Sequence, residues 1–111
     1  MNIKQAQQLV DKQIKSYGNY WSLPSMFHRL IEEVGELSRA INIKYGEKRS
    51  KSASDGREVQ MELVDVFYTT VAIANSFGFD LDKSLSQRFD SKESESIENI
   101  IRLIGKAKRK V

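Results

Sequence analysis

The sequence contains no cysteine, one proline and one histidine among its 111 residues. The absence of cysteine excludes disulfides, thiolate zinc sites and cysteine nucleophiles together. The longest stretch without a charged residue runs from Val66 to Phe79, which is too short to cross a bilayer. The first residues carry charges and lack an apolar segment, so they do not resemble a signal peptide. A cytoplasmic protein without a membrane partner is therefore expected.

The composition is that of a globular chain, with 40% apolar and 30% charged residues and a net charge of +3. Its length predicts one domain, residues 1–111. Three cations, Lys48, Arg49 and Lys51, lie in the polar segment "EKRSKSASDG". Such a patch attracts phosphate groups, although a solvated loop would have the same composition. We predict that these three residues assist phosphate binding.

Apolar residues recur every three or four positions along nearly the whole chain, and no strand-like alternation is evident. The pattern predicts an all-α fold, a bundle of four to five helices. Residues 89–96, "FDSKESES", are interpreted as a loop. The predicted helices cover residues 2–16, about 24–45, about 57–75, a short stretch opened by Asp80 or Asp82, and 97–110.

The third predicted helix, around "MELVDVFYTTVAIAN", is apolar on every side. A helix of this kind must be surrounded, and a chain of this size offers few neighbours. We therefore expect the core to be completed by oligomerisation, as a homodimer or a dimer of dimers. Gly35 lies about 160° around the second helix from Glu33, which favours close packing of a neighbouring helix at that point.

Two acidic pairs interrupt the apolar stripes of the second and third helices. Glu33 and Glu36 form the first pair, and Glu62 and Asp65 form the second. In each pair the spacing is i, i+3, so both carboxylates lie near the core face. Unpaired buried carboxylates cost several kcal/mol each, and clustered ones repel one another. A positive group is therefore expected beside them.

Three kinds of partner for these acids are open. Arginine or lysine pairing would have to come from Arg29, Arg57 or Lys44, each about a turn or more away along its helix. Di-iron sites in helix bundles use Glu-x-x-His pairs, and the single histidine, His28, has no such spacing. A hard divalent cation such as Mg²⁺ or Mn²⁺, which prefers oxygen ligands, is favoured. Exposed acids on the outside of an ordinary bundle are the remaining alternative.

The motif "EEVGEL" at residues 32–37, followed by "ELVD" at 62–65, resembles the EExxE…ExxD signature of the MazG-like family of all-α nucleoside triphosphate pyrophosphohydrolases. The surrounding "HRLIEEVGELSRAI" and "MELVDVFYTTVAIANSFGFDL" are also similar, so the resemblance covers about residues 20–85. Two linked motifs in matching context are fairly specific, whereas either motif alone would be weak.

The resemblance implies a helical oligomer that uses Mg²⁺, with Mn²⁺ as a possible substitute, to split NTP or dNTP into the monophosphate and pyrophosphate. It implies that Glu33, Glu36, Glu62 and Asp65 are the metal ligands. Glu32 would be an auxiliary ligand or would orient the attacking water. The implied partner is a nucleoside triphosphate, and nucleic acid is not expected as a partner.

Substrate contacts are less clear, because the sequence departs from the family after residue 85. Family members often carry a lysine-rich stretch with an arginine there, whereas this chain has "SQRFDSKESES". Arg88 and Lys92 are possible substitutes for phosphate binding. Trp21 lies just before the acidic motif, where it could stack on a base or anchor the core. Phe27 is interpreted as a core anchor.

Two classes of function are compatible with these features. Within the resembling superfamily, a dUTP or dCTP hydrolase and a phosphoribosyl-ATP pyrophosphohydrolase share the acidic signature. The alternative is a non-enzymatic helical module that binds nucleic acid or protein through its basic segments. That alternative leaves the acidic pairs without an explanation.

Overall fold

The structure is built from α-helices. A computed structural model of the chain describes residues 1–46, 58–90 and 92–109, with the backbone alone for 92–96 and 108–109. Across these residues there are five helices and no strand, so the all-α prediction is confirmed. The helices are α1 (Ile3–Ser16), α2 (Leu23–Tyr45), α3 (Val59–Phe77), α4 (Leu81–Asp90) and α5 (Lys92–Arg109).

Two compact units share these helices. The first unit, Met1–Phe79, contains α1, α2 and α3, and the second, Asp80–Val111, contains α4 and α5. Both acidic motifs lie in the first unit. The expectation that residues 1–111 form a single domain stays a prediction.

Local sequence explains where the helices of the first unit begin and end. The side chains of Asn2 and Gln5 each accept a hydrogen bond from the other's backbone N–H, at 2.8 and 2.9 Å, which closes a capping box at the start of α1. Ser22 caps α2, with Pro24 in the first turn. Gly78 follows α3 with φ +73°, a left-handed conformation that glycine adopts without a Cβ penalty.

Helix α3 lies against both other helices of the first unit. Its Val71 is fully buried, and Ser76 Oγ lies 3.2 Å from Met26 Sδ on α2. Towards α1, Asn75 Nδ2 donates to Gln7 O at 2.9 Å, and Gln7 Nε2 donates to Asn75 Oδ1 at 3.0 Å. These bonds fix the register of α1 on α3. The buried apolar residues are Ala6, Val10, Met26, Ala40, Val71, Ala72 and Ala74.

The prediction of a loop over residues 89–96 is wrong. Helix α4 continues to Asp90, and α5 begins at Lys92 rather than at Ile97. The segment is rich in serine, but it also contains lysine and glutamate, which are good helix formers. The start of α4 follows the prediction, because Asp80 Oδ1 accepts a hydrogen bond from Lys83 N at 3.1 Å.

A continuous apolar stripe on α2 stays accessible to solvent in the single chain. Its members fall within about 40° of one line along the helix. Phe27 is 57% exposed, so its interpretation as a core anchor is wrong for the single chain. This face is called the α2 stripe below. It consists of Leu23, Phe27, Ile31, Val34, Ile41 and Tyr45.

Two further observations concern uncovered helix faces. On α3, Leu63 and Phe67 are about half exposed, as expected for a helix that is apolar all round. Apart from its two chain neighbours and the nearby backbone of α2, no described atom lies within 4 Å of the position that a Cβ on Gly35 would take. The neighbouring helix predicted at Gly35 is therefore not supplied by the described part of this chain. Among the described helices, none is long and apolar enough to span a membrane.

Candidate metal centre and adjoining cavity

Three acidic side chains from α2 and α3 converge. Glu33 contributes from α2, and Glu62 and Asp65 contribute from successive turns of α3. One carboxylate oxygen of each lies within 4.8 Å of the others. Glu33 and Glu62 are each only 4% exposed, and Asp65 is half-buried. The i, i+3 spacing on α3 and the packing of α2 on α3 bring the three together.

Glu33 is the best-defined member of this cluster. Burial raises the pKa of Glu33, the nearby Arg29 guanidinium opposes that shift, and the charges of Glu36 and Asp65 add to it. Its Oε2 atom is buried and accepts no hydrogen bond from the described residues. A buried carboxylate oxygen without a donor costs free energy, so this atom is suited to a bound cation.

Arginine, one of the partners that the sequence left open, pairs with one of these acids. Arg29 Nη2 lies 2.7 Å from Glu33 Oε1, and Arg29 Nη1 lies 3.6 Å from Glu32 Oε2. Arg29 precedes Glu33 by one helical turn, which places the two side chains on the same side of α2. The divalent cation favoured by the sequence would therefore share Glu33 with an arginine.

The other two acids of the "EEVGEL" motif are exposed. Glu36 is close enough to Glu33 to raise its pKa, but it is not part of the group of three carboxylates. Glu32 has a side chain that is 63% exposed and lies beside Arg29. The assignment of Glu36 as a metal ligand and of Glu32 as a catalytic group stays a prediction.

An open cavity of about 530 Å³ adjoins the cluster. Glu33, Asp65 and Arg29 line it, together with several aromatic side chains. Trp21, 64% exposed, is among them, as expected for a residue that could stack on a base. The aromatic residues are Tyr17, Tyr20, Trp21 and Tyr68.

Hydrogen bonds to α1 hold two of these tyrosines. Tyr20 OH donates to Asp11 Oδ1 at 2.5 Å, and Tyr68 OH donates to Gln13 Oε1 at 2.6 Å. Desolvation and the bond to Asp11 raise the pKa of Tyr20 to about 12. Desolvation also raises the pKa of Tyr68. Both phenols therefore stay neutral donors at physiological pH. Sequence reasoning missed Tyr68 as a cavity residue, because its position in an apolar helix suggested packing alone.

The structure leaves the predicted phosphate-binding cations untested. Lys48, Arg49 and Lys51 lie outside the described residues. Arg88 is exposed on α4 in the second unit, and the side chain of Lys92 lies outside the described residues. Their roles stay predictions.

The fold and the site together define a class of protein. It is an all-α protein in which two helices present a buried set of carboxylate oxygens beside a cavity of ligand size. Such an oxygen-only donor set suits hard divalent cations rather than zinc or copper. The group of three carboxylates was found among the described residues, and it contains three of the four predicted ligands.

Comparison with known proteins identifies the family. The family model for the MazG nucleotide pyrophosphohydrolase domain matches residues 22–93 of this sequence. These residues include both acidic motifs and all of α2, α3 and α4. The chain belongs to this family, and the resemblance predicted from its sequence is confirmed. It is a MazG-family nucleotide pyrophosphohydrolase domain.

Individual relatives agree with this assignment. The uncharacterized protein YpjD of Bacillus subtilis (strain 168) is 33% identical over 97 residues, which cover 84% of this chain and 87% of that protein. The crystal structure of the candidate pyrophosphatase YpjD from Bacillus subtilis has a TM-score of 0.70 at 33% identity, covering 82% of this chain and 95% of that one. A Bacillus-conserved MazG protein, a nucleotide pyrophosphohydrolase, has a TM-score of 0.65 at 34% identity, covering 82% and 92%.

Proposed function

We propose that this protein is a Mg²⁺-dependent pyrophosphohydrolase that converts nucleoside triphosphates, NTP or dNTP, to the monophosphate and pyrophosphate. The observation that carries the proposal is that two acids of the carboxylate cluster, Glu33 and Asp65, line a cavity that is also lined by aromatic residues. A nucleotide needs both features, because its phosphates bind through cations and its base stacks on aromatic rings.

The cluster fits a divalent cation. Glu33, Glu62 and Asp65 would hold Mg²⁺ or Mn²⁺, with Glu36 recruited from its nearby exposed position. The buried Glu33 Oε2 supports this fit, since nothing in the described chain donates a hydrogen bond to it. When bound, the metal supplies Lewis-acid stabilisation of the phosphate charge and a lower pKa for the attacking water.

The reaction is an attack by water on the α-phosphorus that breaks the bond to the α–β bridging oxygen. The hydroxyl of the water stays on the monophosphate, its proton is released, and pyrophosphate leaves. Glu32 would orient this water or accept its proton, because it is an exposed carboxylate next to the cluster. The chain has no cysteine, and the sequence shows no nucleophile-and-base arrangement, so direct hydrolysis is favoured over a covalent intermediate.

The base of the nucleotide would stack on Trp21, whose ring is exposed on the cavity. Lys48, Arg49, Lys51, Arg88 and Lys92 are proposed to assist phosphate binding. A dUTP or dCTP hydrolase and a phosphoribosyl-ATP pyrophosphohydrolase are narrower versions of the same proposal.

We also propose that the protein works as a homodimer or a dimer of dimers. The α2 stripe supports this, because its Phe27 and Ile31 are more than half exposed in the single chain. A groove of about 510 Å³ runs beside the C-terminal half of the same stripe, lined by Val34 and Ile41 among others. Contiguous apolar surface of this kind is typical of an interface between protein chains.

The test is a panel of NTPs, dNTPs and phosphoribosyl-ATP incubated with Mg²⁺, with nucleotide products and pyrophosphate quantified separately. We expect equal amounts of monophosphate and pyrophosphate from at least one substrate, and no turnover in chelator. Release of single phosphates, or no turnover across the panel, would contradict the proposal. In the second case a non-enzymatic binding module would become the better interpretation.

A further inference from the structure

The wall of the cavity carries an imbalance of charge. Of the described residues that line it, Arg29 is the sole cation, whereas Glu33 and Asp65 are both acids. A triphosphate carries about four negative charges near neutral pH, so this wall without added cations would repel it. Arg29 is therefore the one positive group that the described cavity itself offers to an anionic ligand.

Arg29 is also held in place. Its Nη2 atom bonds to Glu33 Oε1 at 2.7 Å, and the residue sits in the middle of α2 rather than on a loop. A guanidinium has five N–H donors in a fixed planar fork. The bond to Glu33 engages one of them, and the contact to Glu32, at 3.6 Å, is too long for a hydrogen bond. The Arg29 side chain is 48% exposed, so solvent or a ligand can reach the others.

We propose that Arg29 is a phosphate-binding residue of the active site. It stays bonded to Glu33 while its remaining N–H groups donate to non-bridging oxygens of the bound triphosphate. This inference rests on the proposed function and adds a residue to it. Arg29 would then link the carboxylate cluster to the substrate through one rigid side chain.

Two physical arguments favour phosphate over the base as the group that Arg29 binds. Charge-assisted hydrogen bonds from a guanidinium to phosphate are commonly bidentate and about twice as strong as neutral ones. In addition, Arg29 lines the cavity together with the carboxylates that would hold the metal, and a metal at that position must itself contact the phosphates. The base can stack on the aromatic ring of Trp21, which lines the same cavity.

The experiment compares Arg29→Gln with Arg39→Gln, which removes the same charge from an exposed position of α2 outside the cavity lining. The probe is an α,β-methylene deoxynucleoside triphosphate, which cannot be cleaved at the scissile bond. Its affinity is measured by calorimetry with Mg²⁺, once with a purine base and once with a pyrimidine base. Mn²⁺ affinity without nucleotide is measured by electron paramagnetic resonance.

We expect Arg29→Gln to raise the Kd of the analogue by about 10- to 100-fold, the range for hydrogen bonds to charged groups. The factor should be the same for both bases, because a phosphate contact does not distinguish them. Mn²⁺ affinity should be unchanged or tighter, since a positive charge has been removed near the site. Arg29→Lys, which keeps the charge without the planar fork, should give an intermediate Kd.

Three outcomes would overturn the proposal. Equal analogue affinity in Arg29→Gln and Arg39→Gln would show that Arg29 does not bind the phosphates. A loss of Mn²⁺ affinity by the same factor as the loss of analogue affinity would show that Arg29 only orients Glu33. If the wild type neither binds the analogue nor hydrolyses any triphosphate, the proposed function fails as well. In the first two cases wild-type hydrolysis would leave that function intact.

Discussion

The interior and the outer face of the α2–α3 pair contrast sharply. In the interior, Glu33 and Glu62 are 4% exposed, whereas on the outer face Phe27 and Ile31 are 57% and 55% exposed. This distribution is the reverse of the usual one, in which ionised carboxylates face water and large apolar side chains are buried. Each inversion costs free energy in the isolated chain, by desolvation inside and by hydration of apolar surface outside.

The two regions require different kinds of partner. A cluster of buried acids is relieved by a cation, and an apolar stripe is relieved by another apolar surface. Arg29 supplies part of the positive charge that the buried acids require, because it bonds to Glu33. Removing one negative charge from the interior cluster should therefore not destabilise the metal-free protein. Adding a charge to the α2 stripe should dissociate the oligomer.

The largest effect is expected at the interior, from Glu62→Gln, which keeps the volume and removes one charge. The variant should lose Mg²⁺-dependent pyrophosphate release, because a metal-binding carboxylate is gone. In chelator it should be as stable as the wild type or more so, since repulsion among the acids is reduced. Added Mg²⁺ should raise the melting temperature of the wild type by mass action, and that of the variant much less.

Glu58→Gln is the matched control for this variant, because Glu58 is exposed and precedes the same helix without a side-chain capping hydrogen bond. Melting curves with chelator and with Mg²⁺ make the comparison. If Glu62→Gln cost about 3–5 kcal/mol in chelator, Glu62 would belong to a structural ion pair rather than to a metal site.

The second effect concerns the outer face. Ile41→Glu places a charge on the α2 stripe, and we expect it to convert a dimer or tetramer to monomers because burying that charge would be too costly. Light scattering at micromolar concentration measures the change. Arg39→Glu is the control, since Arg39 lies on the same helix about 120° around from the middle of the α2 stripe. A wild type that is already a stable monomer of 12.7 kDa would contradict the assembly proposal.

A smaller effect is expected at the aromatic side of the cavity. Trp21→Ala should raise KM by about 10-fold with a smaller change in kcat, because stacking on a base contributes roughly 1–3 kcal/mol to binding. Phe89→Ala removes an exposed aromatic residue that belongs neither to the cavity lining nor to the α2 stripe. Steady-state kinetics of the two variants separate a contact with the base from a general loss of aromatic surface. Equal KM and kcat values in the two variants would show that Trp21 does not contact the base.

The smallest effect is expected from Gly35→Ala, which tests whether solvent or a second copy of the chain lies beside Gly35. In a monomer, Gly35→Ala should stabilise the helix by roughly 0.5–1 kcal/mol, because nothing in the described chain would contact the added methyl group. If a helix of a second copy packs closely there, the same change should destabilise the protein. We expect destabilisation, measured by denaturant unfolding at a concentration where the oligomer persists. A gain in stability would mean that this side of α2 faces water.

Helical periodicity is a local property, and it allowed much of the site to be predicted. The i, i+3 spacing placed Glu33 on the core side of α2 and Glu62 on the core side of α3, and both are buried as that spacing implies. Caps such as Ser22 and Asp80 were predictable for the same reason, because they act within one turn of a helix. The loop predicted before Ile97 failed because serine is common both in loops and near helix starts.

By itself, then, the sequence determined an all-α fold, two acidic pairs on apolar helix faces and a family signature. The tertiary structure decided that Glu62 and Asp65 meet Glu33 while Glu36 stays outside the group, and that Tyr68 joins Trp21 on one cavity. The physical reason is that the rotation and crossing of packed helices select which residues of each face come into contact. Spacing along one helix contains no information on that choice.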